Sequence, residues 1–167
     1  EVKIAEDGEI LVKGENVMLG YWNKKEETDK VLKNGWLYTG DIGEIDPKDG
    51  YLKITDRKKD IIVNAGGDNI SPSRIEEKLN IEPEISQSMM YGDSKNYLVA
   101  IIVPDRDHAK EWAKNNNKEF DINKLNKDSD FIKMIKETTD RVNKKVSQIE
   151  QVRKFLLIDE ELSIENN

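Results

Sequence analysis

Apolar and polar residues change rhythm once along this chain. Through the first third they follow the two-residue period of half-buried strands. "GEILVKG" alternates around Ile10 and Val12, and "GWLYTGDIGEID" and "GYLKIT" follow. Each of the last two is entered through a turn-forming pair, Asn34-Gly35 and Asp49-Gly50. Between the strands, "NKKEETDKVLK" predicts a short helix with Asn23 as its N-cap.

Past residues 56–60 the pattern becomes mixed. "DIIVNA" predicts a short buried strand. "ISQSMMYGD" and "YLVAIIVPD" predict two more, the second so apolar that it belongs at the centre of a sheet. "VRKFLLID" predicts the last. Ser71 as N-cap and Pro72 at the first helical position open a helix with Ile75 and Leu79 on one face. "DRDHAKEWAKNNN" predicts a second helix that buries Ala109, Trp112 and Ala113. "DFIKMIKETTDRVNKKVSQIE" predicts the longest, with Phe131, Ile135, Thr138, Val142, Val146 and Ile149 on one stripe. That stripe covers only about three heptads, so it is expected to pack on the sheet rather than form a coiled coil. "NNNKEFDINKLNKDSD" reads as a polar connection. The expected fold class is α+β. A β-rich part spans residues 1–58, and a small α+β domain with a central sheet and flanking helices spans 59–167.

Composition narrows the function classes. Of 167 residues, 36% are hydrophobic and 37% charged, which suits a packed core under a charged surface. The net charge of −7 argues against non-specific nucleic-acid binding, which relies on neutralising phosphates. The absence of cysteine excludes disulfides and thiolate metal sites and is compatible with a reducing cytoplasm. No apolar run approaches the ~20 residues that span a bilayer. The single histidine, His108, sits beside Asp107 on a helix and reads as a surface residue. The chain begins without Met inside a strand pattern, and is expected to be a piece of something longer.

Chemistry concentrates around residues 38–67. "YTGD" ends a strand in a glycine turn that carries Asp41. A carboxylate has two acceptor oxygens and can take both hydroxyls of a ribose diol; an Asp after Gly can equally cap the turn. Arg57 follows at the end of "YLKITDR", where a guanidinium can donate to a ribose or phosphate, or pair with Asp56 or Asp60. Lys59 stands where the pattern changes, as a solvated hinge or as a charge guarding an apolar strand. Gly66-Gly67 is either a tight turn or a loop that approaches a ligand closely.

Taken in order, "GEILVKGENVMLGYW", "GWLYTGDIGEID", "ITDRKKDIIVNAGGDNISPSRIE" and "YLVAIIVPD" resemble the AMP-forming acyl-CoA synthetases of the acyl-adenylate-forming superfamily. "DRKKDIIVNAGGDNISP" looks most like the long-chain fatty acid branch. The resemblance implies that a carboxylic acid attacks the α-phosphate of ATP, giving acyl-AMP and pyrophosphate, and that coenzyme A then displaces AMP. It implies ribose binding by Asp41 and Arg57, with Ile54 packing near the nucleotide. It makes Lys59 the hinge of a swinging small domain, and Gly66 and Gly67 the loop that borders the coenzyme A tunnel. Magnesium, the phosphate loop and the fatty acid pocket would lie mainly in a large N-terminal domain. The adenylation lysine would lie beyond Asn167, just past a strand matching "FLLIDEELSIENN", so the chain is expected to be inactive alone. The parent is expected in the cytoplasm. A lipid substrate would bring it to membranes, although no basic amphipathic helix marks such contact.

Two other readings stay open. A fatty acyl-AMP ligase or peptide-synthetase adenylation domain would hand the acyl group to a carrier protein. A free-standing α+β binding module would do no chemistry.

Overall fold

The computed structural model describes residues 1–163. The chain divides into two compact units, Glu1–Ile61 and one beginning at Ile62.

The first unit is an antiparallel sheet. Strands β1 (Val2–Ile4), β2 (Glu9–Val12), β3 (Leu32–Lys33), β4 (Trp36–Ile45) and β5 (Leu52–Arg57) make it up. The order is β1-β2-β4-β3, and β5 pairs with the second half of β4. Asn34 and Gly35, at φ 54° and 78°, form the two-residue loop between β3 and β4, and positive φ at both positions suits the right-handed twist of a hairpin. Strand β2 does not alternate as expected, because Glu9, Ile10 and Leu11 are all buried. Helix α1 (Lys25–Val31) forms, but its N-cap is Lys24; Asn23 instead takes a left-handed conformation at φ 53°. An asparagine tolerates that region through local hydrogen bonding, so it serves as a turn residue here.

The second unit holds the hydrophobic core. A short antiparallel pair, β6 (Ile62–Val63) and β7 (Asn69–Ile70), precedes α2 (Pro72–Asn80). The main sheet has β9 (Leu98–Pro104) at its centre, antiparallel to β8 (Ile85–Tyr91) and parallel to β10 (Val152–Leu157). Leu98, Ala100 and Ile102 of β9 lie in one core cluster with Ile75 and Leu79 of α2. The same cluster takes in residues of α3 (Arg106–Asn115), α4 (Ile122–Leu125) and α5 (Ser129–Asn143). Each fully buried Leu, Ile or Phe there stabilises by about 1.5–3 kcal/mol relative to exposure.

The helices depart from the sequence pattern in three places. Ala109 and Ala113 are buried, but Trp112 is only half-buried and sets its ring edge against Phe131, at 5.1 Å between centroids. The supposed polar connection contains α4, capped by Asp121, with Ile122 and Leu125 buried. The long helix stops at Asn143, so Phe131, Ile135, Thr138 and Val142 are buried while Ile149 is exposed. The cause is local. The Asn143 side chain exchanges two hydrogen bonds of 2.9 Å with the backbone of Val152, and Ser147 with Glu150 forms a capping box that starts a separate 3-10 turn. The last residues of "FLLIDEELSIENN", 164–167, lie outside the described residues.

Candidate functional site

Strand pairing brings two of the expected site residues face to face. Asp41 and Arg57 are direct partners in the β4–β5 register. Arg57 Nε donates to Asp41 Oδ1 at 3.0 Å, with the Asp41 side chain one quarter exposed and the Arg57 side chain 62% exposed. Three residues earlier on β5, Ile54 is also exposed. A partly buried carboxylate beside an exposed guanidinium offers acceptors and donors on one surface, which suits a diol or a sugar phosphate.

A local break in the sheet shapes this spot. Between the pairs Leu11↔Tyr38 and Glu9↔Ile42 the register slips, so that Thr39, Gly40 and Asp41 together face Ile10. Gly40 takes φ +75°, and a side chain added there would meet nothing within 4 Å. Side chains replace the missing rungs. Thr39 Oγ1 donates to the Ile10 carbonyl at 2.8 Å and accepts from Asp41 N at 3.1 Å, and Gly40 N donates to Glu9 Oε1 at 2.9 Å. A bulge of this kind turns a side chain out of the pleat, as at many sites.

Lys58 and Lys59 lie in a 3-10 turn, Lys58–Asp60, directly after β5. Lys58 Nζ donates to Asp7 at 2.7 Å and to Glu9 at 2.8 Å. Hydrogen bonds to Asp7, then Glu9, hold its ammonium above the ordinary lysine range. The Asp7 carboxyl is held below its usual range by the Lys58 donation and by the Glu9 N–H. Lys59 is exposed. Asp7 and Glu9 escaped the sequence reading. The only signal was a charged residue opening an apolar strand, which usually marks nothing.

Gly66 and Gly67 belong to the second unit, in the loop from β6 to β7. Asn64 Oδ1 accepts from Gly66 N and Asp68 N at 2.8 and 2.9 Å, and Gly67 takes φ +85°. The neighbouring turn clasps the loop: Ala65 N donates to the Lys95 carbonyl at 3.0 Å, and Ser94 N to that of Val63 at 2.7 Å. Both glycines stay exposed. A cleft of mixed polarity, with Asn64, Gln151 and Arg153 beside Ile70, Leu98 and Ile149 in its lining, adjoins it. Among the described residues, no cluster of three or more His, Cys, Asp or Glu could hold a metal ion. No helix among them is long and apolar enough to cross a membrane.

The fold is similar to that of adenylation domains of known structure. The adenylation domain of a carboxylate reductase from Mycobacterium chelonae superposes with a TM-score of 0.75 at 26% identity, covering 95% of this chain and 23% of that one. An O-succinylbenzoate coenzyme A synthetase from Bacillus subtilis, in complex with AMP, superposes at 0.69 and 28% identity, covering all of this chain and 31% of that one. The chain belongs to the AMP-binding enzyme C-terminal domain family, whose model matches residues 59–164. Among curated proteins, long-chain-fatty-acid–CoA ligase FadD15 of Mycobacterium tuberculosis is 40% identical over 159 residues, 94% of this chain. The chain spans about a quarter of that relative's length.

Proposed function

We propose that this chain is the C-terminal part of an AMP-forming long-chain fatty acid CoA ligase. The observation that carries the reading is the Asp41–Arg57 pair, opposed on adjacent strands with Arg57 exposed and Asp41 partly so, in a chain 40% identical to such a ligase over 94% of this chain's length. Asp41 takes the ribose diol of ATP and then of acyl-AMP. Arg57 swings from Asp41 toward the sugar and its phosphate, and Ile54 gives the nucleotide an apolar surface. The fatty acid carboxylate attacks the α-phosphate, and pyrophosphate leaves. The coenzyme A thiol then attacks the acyl carbonyl and expels AMP.

Lys59 serves as the pivot between these half-reactions, and the domain that follows it swings as a body. Gly66 and Gly67 border the path of coenzyme A, where their lack of side chains lets the pantetheine arm pass close to the backbone. Magnesium and the acid pocket belong to other parts of the parent, which works in the cytoplasm and meets membranes only through its lipid substrate. Likeness to a carboxylate reductase domain favours a second reading, in which a carrier-protein thiol replaces coenzyme A. Supplying each thiol to enzyme that holds preformed acyl-AMP separates the two.

The test is Asp41→Ala in the full-length ligase. Loss of a charge-assisted diol contact costs about 1.5–3 kcal/mol, hence roughly a 10- to 150-fold drop in kcat/KM for ATP in adenylate formation. With 2′,3′-dideoxy-ATP the substitution should change little. An equal loss with both nucleotides would remove Asp41 from the ribose.

A further inference from the structure

One buried carboxylate touches the chain neighbours of both residues placed at the ribose. Glu9 is 4% exposed. Its Oε1 accepts from the N–H of Gly40, the residue before Asp41, at 2.9 Å. Its Oε2 accepts from Nζ of Lys58, the residue after Arg57, at 2.8 Å. Those two contacts reach β4 and the 3-10 turn that directly follows β5, 31 and 49 residues away in sequence.

The arrangement exceeds what packing requires. Burying a carboxylate is costly unless it is both hydrogen-bonded and charge-balanced, and an apolar residue would fill the same space at no such cost. At the bulge, however, Gly40 N has lost its ladder partner and needs an acceptor. Only a side chain with two oxygens can supply that acceptor and, with the other oxygen, hold the cation just past the end of β5. Asp7 adds a second carboxylate to the same Lys58 at 2.7 Å, so the lysine is fixed from two sides.

We propose that Glu9 is a positioning residue of the nucleotide site, a single carboxylate that sets Asp41 through Gly40 and Arg57 through Lys58. The proposal rests on the ribose-binding reading above. Glu9 itself touches no substrate. It fixes the spacing between the two groups that do, so its loss should be felt as a loss of discrimination for the diol and not as a uniform loss of binding.

The experiment compares AMP with 2′,3′-dideoxy-AMP by calorimetric titration of the full-length ligase. Wild type should prefer AMP by about tenfold or more, as expected for a charge-assisted pair of hydrogen bonds. Glu9→Ala should bring the two affinities within about threefold of each other, chiefly by weakening AMP. Because Glu9→Ala leaves the Gly40 N–H without its acceptor and Lys58 with Asp7 alone, a second variant guards against misfolding. Glu9→Gln combined with Lys58→Met keeps an acceptor for Gly40 and removes both charges together. Its preference should fall between those of wild type and Glu9→Ala, since only the Arg57 side is released. If these variants keep the full preference for AMP while both affinities drop together, Glu9 is a packing residue and the proposal fails. If wild type shows no preference, the ribose reading is what fails, a result visible before any variant is made.

Discussion

Two glycines of β4 illustrate how differently single positions are constrained. Gly40 needs its positive φ but has open space around it, whereas Gly43 has ordinary φ and none: a Cβ there would lie 2.5 Å from the Lys53 carbonyl oxygen and 2.7 Å from Ile10 Cδ1. Gly40→Ala therefore costs about 1–2 kcal/mol of backbone strain. Gly43→Ala pushes one strand off the next and should cost more, about 3 kcal/mol, as overpacking against rigid backbone does. Urea denaturation of both variants orders them, and a milder Gly43→Ala would contradict the geometry. Asp41, Arg57 and the glycines stood out in the sequence because turn chemistry and a recognisable series marked them. Glu9 and Asp7 did not. Their role depends on a register slip between strands 30 residues apart, and nothing in local spacing encodes where a ladder will slip.

Helix α5 is tied down at its far end by charge as well as by its apolar stripe. Arg141 donates to Glu82 at 2.7 Å and to Glu84 at 2.9 Å, and Lys145 donates to Glu82 at 2.9 Å. The Glu82 carboxyl is held below its ordinary range by Lys145 and then Arg141. Burial acts to raise the Glu84 carboxyl, and donation from Arg141 leads the contacts that outweigh it. A depressed carboxyl stabilises above its unfolded pKa, 4.5 here, and that contribution fades as pH falls through the lower folded value. Arg141 is half-exposed, so solvent screens the network. Arg141→Met should thus cost about 1–2 kcal/mol near neutrality and progressively less as pH falls below 4.5, read from urea curves at a series of pH values. A constant difference across pH would mean the arginine acts by packing alone. The element pattern was largely legible: strand β9 at the centre, Pro72 opening α2 and the stripe on α5 were all visible as periodicity. The end of α5 was not, since Val146 and Ile149 continue the apolar spacing, and the Asn143 bonds to Val152 with the Ser147–Glu150 capping box are what stop it. Helix α4 was hidden because one turn is too short to show a period.

At the scale of the whole chain, apolar burial is unequal. Among the described residues, Ile10 and Leu11 are the buried apolar side chains of the first unit, while the entire core cluster belongs to the second. The first unit should unfold at lower denaturant. The three tryptophans report this directly, since Trp22 and Trp36 lie in the first unit and Trp112 packs against Phe131 in the second. With Trp112→Phe the fluorescence midpoint should come early, and with Trp22→Phe and Trp36→Phe together it should come late. Coincident midpoints would mean that the two units melt as one. The parallel pairing of β10 with β9 has a consequence for synthesis. Strand β9 leaves the ribosome with nearly fifty residues still to be made before β10 appears. At about 5–20 residues per second, that is roughly 2 to 10 seconds. For that interval the nascent segment "LVAIIV" has one bare edge and a strongly aggregation-prone composition, and the helices translated in between are its first cover.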